Sequence, residues 1–90
     1  MRRTRAAEKV AAALMADPDG RHWGYALWKQ AGVRSGVLYP ILLRMLNEGW
    51  LSSGREDPPP EGRPPRRYYE ITKVGRTALA ELAAAKGTSA

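Results

Sequence analysis

Five prolines crowd the ten residues Glu56-Asp57-Pro58-Pro59-Pro60-Glu61-Gly62-Arg63-Pro64-Pro65. Proline fixes φ and has no backbone N–H, so neither a helix nor a central strand can run through this stretch. It must be an extended, partly stiff loop. On either side lie strand-like runs, Trp50-Leu51-Ser52-Ser53-Gly54-Arg55 before it and Arg66-Arg67-Tyr68-Tyr69-Glu70-Ile71 after it. Two short strands joined by such a loop predict an antiparallel hairpin over about residues 50–71.

The rest of the chain reads as helix. From Thr4 to Ala16 strong helix formers place Ala7, Val10, Ala11 and Leu14 at helical spacing. Ala6, Ala13 and Met15 widen that stripe, so this helix needs cover on two sides, and a second subunit is the expected source. Asp17-Pro18-Asp19-Gly20 stops it, and Arg21-His22-Trp23 suits a very short strand in which His22 is structural. A second helix follows over 24–31, with Tyr25, Leu27, Trp28 and Ala31 as apolar contacts and Gly32 as its left-handed cap. In the tight connection Val33-Arg34-Ser35, Ser35 has the chemistry of an N-cap. The third helix, over 36–48, carries Val37, Leu38, Ile41, Leu42, Met45 and Leu46 as a core stripe. Pro40 falls early enough to kink this helix without breaking it. Thr72 caps a last helix over 72–86, after which Gly87 to Ala90 should fray.

Helix, helix, short glycine-containing turn, helix, hairpin is the order of a winged helix-turn-helix, mainly α with a small β-hairpin, and residues 1–90 are expected to form one such domain. The second helix of the turn enters the DNA major groove in that architecture. With its core stripe facing inward, the side left over carries Arg34, Ser35, Gly36, Tyr39, Pro40, Leu43 and Arg44. Hydroxyl, phenol and guanidinium groups suit phosphates and base edges, and Gly36 permits a close approach of the helix start to a phosphate. In the wing, Arg55, Arg63, Arg66 and Arg67 stand against Glu56, Asp57 and Glu61. Strand alternation sends Tyr69 and Ile71 to the core and Arg66, Tyr68 and Glu70 the other way. Arg2, Arg3 and Arg5 form the densest basic cluster, either an arm that reaches flanking DNA or a solubilising charge. Plainer readings stand beside these: Tyr39 as an amphipathic surface residue, Arg44 as a solvated one, the hairpin as a solvated loop with incidental arginines.

A formal net charge of +6 favours a polyanionic partner, double-stranded DNA before a membrane. No apolar run approaches the ~20 residues of a bilayer span, and the basic start lacks a signal-peptide core, so a soluble, cytoplasmic protein is expected. With no cysteine and one histidine there is no disulfide, and neither a metal nor a cofactor is expected. No nucleophile–base pair or glycine-rich phosphate loop suggests an enzyme. A chain of ninety residues without such staples is expected to gain stability by oligomerising. Of the tryptophans, Trp23 and Trp50 read as packing; Trp28 is the candidate to face a small aromatic effector, with packing as its plainer role. The alternative function is a winged helix used as a protein-interaction module without DNA binding.

Taken together, Gly24-Tyr25-Ala26-Leu27, the run from Ser35 to Met45 (Ser-Gly-Val-Leu-Tyr-Pro-Ile-Leu-Leu-Arg-Met), Glu48-Gly49-Trp50-Leu51, and the run from Gly62 to Thr72 (Gly-Arg-Pro-Pro-Arg-Arg-Tyr-Tyr-Glu-Ile-Thr) resemble PadR-type transcriptional regulators. The resemblance extends roughly from Val10 to Leu82, and is to the compact members without a separate C-terminal domain. It implies a repressor that binds pseudo-palindromic promoter DNA as a homodimer through its first and last helices. It also implies DNA contacts from Ser35 to Arg44 and from wing residues matching Arg63 to Tyr68, and release of DNA by a small aromatic or hydrophobic compound near the dimer interface.

Overall fold

Helix α1 (Arg5–Met15) starts where Thr4, in extended backbone, accepts a hydrogen bond from the Ala7 amide with its hydroxyl at 3.1 Å. The computed structural model describes residues 3–88. After α1 come β1 (His22–Trp23), α2 (Gly24–Ala31), α3 (Ser35–Asn47), β2 (Leu51–Arg55), β3 (Arg67–Ile71) and α4 (Lys73–Thr88). The arrangement is a winged helix-turn-helix, with helices packed on a small antiparallel sheet. Val10, Leu14, Leu27, Leu38, Leu42, Met45 and Leu79 are fully buried at its centre.

Helix α1 buries Ala7, Val10, Ala11, Ala13 and Leu14, and its cover comes from within the chain. Helix α4 lies along it, and α2 and α3 close the remainder. Most of the apolar stripe of α1 is thus covered within the single chain, with Ala6 and Met15 left partly exposed. The methyl-sized side chains let the two helices approach closely, so one short domain can cover this much of it.

The turn of the helix-turn-helix is set by Gly32, which caps α2 at φ 70°. Arg34, rather than Ser35, occupies the cap position of α3, in extended backbone and without a side-chain cap bond; Ser35 is the first helical residue. On α2, Gly24, Leu27 and Ala31 are the buried positions. Tyr25 and Trp28, expected as apolar contacts, flank that buried side and are exposed. Val37 is likewise exposed, whereas Leu38, Leu42 and Met45 hold α3 to the core. Helix α3 runs unbroken through Pro40.

Helix α3 ends in a Schellman turn: the Gly49 amide (φ 78°) bonds the Leu46 carbonyl at 3.0 Å, and the Trp50 amide bonds the Met45 carbonyl at 2.9 Å. This turn is tied to the start of α4. The Thr72 hydroxyl donates to the Gly49 carbonyl at 2.6 Å and accepts from the Gly75 amide at 2.9 Å.

The sheet has three strands in the order β1-β3-β2, not the hairpin alone. β1 pairs with β3 (His22 with Tyr69, Trp23 with Tyr68), and β2 pairs with β3 from Leu51–Ile71 to Arg55–Arg67, all antiparallel. A two-residue strand carries no periodicity that would name its partner. His22 is buried, with Nε2 at 2.8 Å from the Asp17 carbonyl, so Nε2 carries the proton and donates. Helix α4 continues to Thr88, past Lys86 where fraying was expected; Ser89 and Ala90 lie outside the described residues, as does Arg2 of the N-terminal cluster. Arg3 and Arg5 are exposed at the start of α1. Among the described residues no helix is long and apolar enough to cross a membrane.

Candidate nucleic-acid interface

Because three inward residues anchor α3, its outer side is left to solvent. Arg34, Ser35, Gly36, Tyr39, Pro40, Leu43 and Arg44 are all exposed. The space where a side chain would stand on Gly36 is open, so the first turn of α3 can be approached closely.

The wing is organised by one carboxylate. Glu56 receives Arg63 at 2.9 Å on Oε1 and 3.1 Å on Oε2, and Oε1 also accepts the Arg66 amide at 3.3 Å. The Glu56 amide donates to the Arg66 carbonyl at 2.9 Å, closing the base of the loop. The Arg63 guanidinium, followed by the Arg66 amide, holds the Glu56 carboxyl below its ordinary value of 4.5. Arg63 also donates to the Pro64 carbonyl at 3.3 Å.

Arg66 departs from the expected alternation. It precedes β3, so the pleat does not fix its direction, and its guanidinium lies 5.1 Å from the centre of the Tyr25 ring. Tyr69 is buried and Ile71 packs partly buried on the core, as expected. Tyr68 takes the other face of β3. There it lies over Gly54, meets Trp23 edge-on at 5.4 Å between ring centres, and is covered by the Arg21 guanidinium at 3.9 Å.

Tyr39 from α3, Gly24 and Tyr25 from the start of α2, and Arg66, Arg67 and Tyr69 from the wing line one cleft of 490 Å³. Burial pushes the Tyr69 phenol above its ordinary value of 10.0, against the opposing pull of the nearby Arg67. Of the sequence-derived candidates, Tyr39, Arg66 and Arg67 thus meet; Arg63 is paired inside the loop, and Tyr68 faces away. Gly24, Tyr25 and Tyr69 were not among the candidates, since Tyr25 was read as an apolar contact of α2 and strand alternation sent Tyr69 to the core. Trp28 stands apart, 46 % exposed on a shallow groove with Lys29, Gly32, Val33 and Arg34. Among the described residues no three His, Cys, Asp or Glu side chains gather as a metal would require.

Residues 17–81 match the family model described as the transcriptional regulator PadR-like family. Among solved structures the chain is similar to a PadR-like transcription factor from Bacteroides fragilis, at 28% identity and a TM-score of 0.69, over 90% of this chain and 82% of that one. It is similar to a PadR family transcriptional regulator from Eggerthella lenta at 30% identity and a TM-score of 0.62, over 90% of this chain and 70% of that one. The circadian clock associated protein Pex from Anabaena shares the fold, with a TM-score of 0.71 at 19% identity over 91% of this chain and 76% of that one. No curated protein matches the chain.

Proposed function

The chain belongs to the PadR-like family of transcriptional regulators, and from that premise we propose that it is a cytoplasmic repressor that binds pseudo-palindromic promoter DNA as a homodimer. The observation that carries this reading is the cleft where α3 meets the wing: Tyr39 from one and Arg66 and Arg67 from the other face the same space. An exposed helix side bearing Ser35, Gly36, Tyr39, Pro40 and Arg44 is thereby continuous with two guanidinium groups. Ser35, Tyr39 and Arg44 are assigned to base edges and phosphates, Arg34 and Gly36 to the phosphates at the helix start, and Pro40 to apolar contact along the groove. Arg66 and Arg67 hold the flanking backbone, and Arg63 from the wing loop and Tyr68 from the other face of β3 are assigned to it as well.

Helices α1 and α4 form the dimer interface in this reading, through surfaces beyond those they bury in each other. A small aromatic effector would address the exposed ring of Trp28. The whole chain acts as one DNA-binding domain.

Titration against the DNA upstream of its own gene and against an unrelated duplex, at several salt concentrations, tests the reading. Each phosphate neutralised adds roughly −0.9 to the slope of log affinity against log salt. A steep slope with clear preference for the upstream duplex is expected. Failure to bind any duplex at low salt would overturn it in favour of a protein-interaction module.

A further inference from the structure

The Glu56 carboxylate has the donor set of a bound phosphate. Two guanidinium nitrogens of Arg63 reach its two oxygens at 2.9 and 3.1 Å, and the Arg66 amide reaches one of them at 3.3 Å. Guanidinium forks and free backbone amides are the groups that hold phosphates at nucleic-acid interfaces. Pro58 to Pro60 and Pro64 to Pro65 stiffen the loop around this pair, so a change of partner at Arg63 falls to its side chain rather than to its backbone. The pair is also accessible, with side chains 38% and 29% exposed. A pair of that exposure is held weakly enough for another anion to displace it.

We propose that Glu56 is a built-in phosphate mimic, which holds Arg63 and the Arg66 amide in the free protein and yields them to a DNA backbone phosphate on binding. The wing is then self-restrained. Its loop arginine is offered only where a phosphate arrives in the position of the Glu56 carboxylate, and a badly placed duplex meets a carboxylate instead. Arg66 and Arg67, at the cleft, make the wing's first contact. This inference rests on the DNA-binding reading and names the residue that regulates its wing contact.

The test is a double-mutant cycle on DNA affinity at low salt, with Glu56→Gln, Arg63→Gln and the double variant, and with Glu61→Gln as a control for charge. Glu61 is exposed in the same loop. The glutamine oxygen at position 56 can still accept the Arg66 amide, and a urea midpoint checks that each variant is folded. Glu56→Gln is expected to tighten binding about fivefold, the scale of an exposed ion pair. Glu61→Gln is expected to change it by about twofold at most, since it removes the same charge without releasing an arginine. In the Arg63→Gln background the gain from Glu56→Gln should shrink to that of the control. A gain no larger than the control's, or one that persists without Arg63, would overturn the proposal while leaving DNA binding intact. Absence of duplex binding by the wild-type protein would remove the DNA-binding reading itself, and the proposal with it.

Discussion

Gly75 lies buried in the first turn of α4, facing the backbone of Trp50, and a Cβ there would overlap the Trp50 carbonyl. That carbonyl accepts the Thr72 amide at 3.0 Å, so it cannot move aside without loosening a hydrogen bond. Gly75→Ala is expected to destabilise the fold by about 1–3 kcal/mol, as overpacking does. The better helix propensity of alanine, about 1 kcal/mol, offsets only part of this. The measurement is a fall in urea midpoint at unchanged slope; an unchanged or raised midpoint would show that the helix start is free to shift. A glycine inside a helical run bears no mark of what lies across from it, which is why Gly75 was not legible. Gly32 was, because it follows the last apolar residue of α2 and takes the positive φ that only glycine adopts without strain. Glu56 makes a second prediction at this scale. Its carboxyl titrates below 4.5 in the folded chain, so the loop closure it provides is present above the unfolded value and is lost as pH falls through the folded one. Carboxyl-carbon NMR should place its midpoint below 4.5, with exchange protection of the Arg66 amide lost in the same acid window. A midpoint at or above the ordinary value would mean that Arg63 does not hold it in solution.

Among the elements, the junction of α3, β2 and α4 depends on one hydroxyl. Thr72 donates to the Gly49 carbonyl and accepts the Gly75 amide, so it caps one helix and fastens the turn that ends another. Thr72→Val keeps the shape and removes both bonds, and should cost about 1–2 kcal/mol in a urea melt, whereas Thr72→Ser should stay near the wild type. Equal midpoints for Val and Ser would show that the link contributes nothing. The capping half of this was readable, since a threonine before a helical run has one obvious use; the bond to Gly49 joins residues far apart in sequence and was not. The same contrast runs through the fold. The four helices and the hairpin were placed to within a residue or two at most ends, because turn and cap residues punctuate them. Which apolar residues of α2 face inward was misread, since over eight residues Tyr25 and Trp28 fit a stripe as well as Leu27 and Ala31 do. The candidate site divides in the same way. The outer side of α3 followed from its core stripe, but Arg66 was assigned by strand alternation at a position the strand does not reach.

For the molecule as a whole, the question is how a domain with extents of 45 × 27 × 21 Å would read a promoter under the proposed function. Helix α3, with 13 residues, is about 20 Å long and spans a single stretch of major groove. A net charge of +6 favours any duplex alike, so in the proposed reading preference for one site comes from the base contacts of α3 and is multiplied by a second copy. Two copies related by a two-fold axis satisfy DNA geometry only if their α3 helices lie about one helical turn apart, roughly 34–36 Å. Hydroxyl-radical footprints on the upstream DNA should therefore show two protected patches with centres about 10 base pairs apart, in inverted halves. Inserting about five base pairs between the halves turns one of them to the far side of the duplex. The second contact is then lost, and affinity should fall by about a hundredfold or more, because it no longer profits from the first. Inserting a full turn restores the face but stretches the spacing, which a rigid dimer through α1 and α4 cannot follow, so affinity should recover little. Recovery with the full-turn insertion would require a flexible or differently built dimer, and a single protected patch indifferent to both insertions would mean that the protein binds as a monomer.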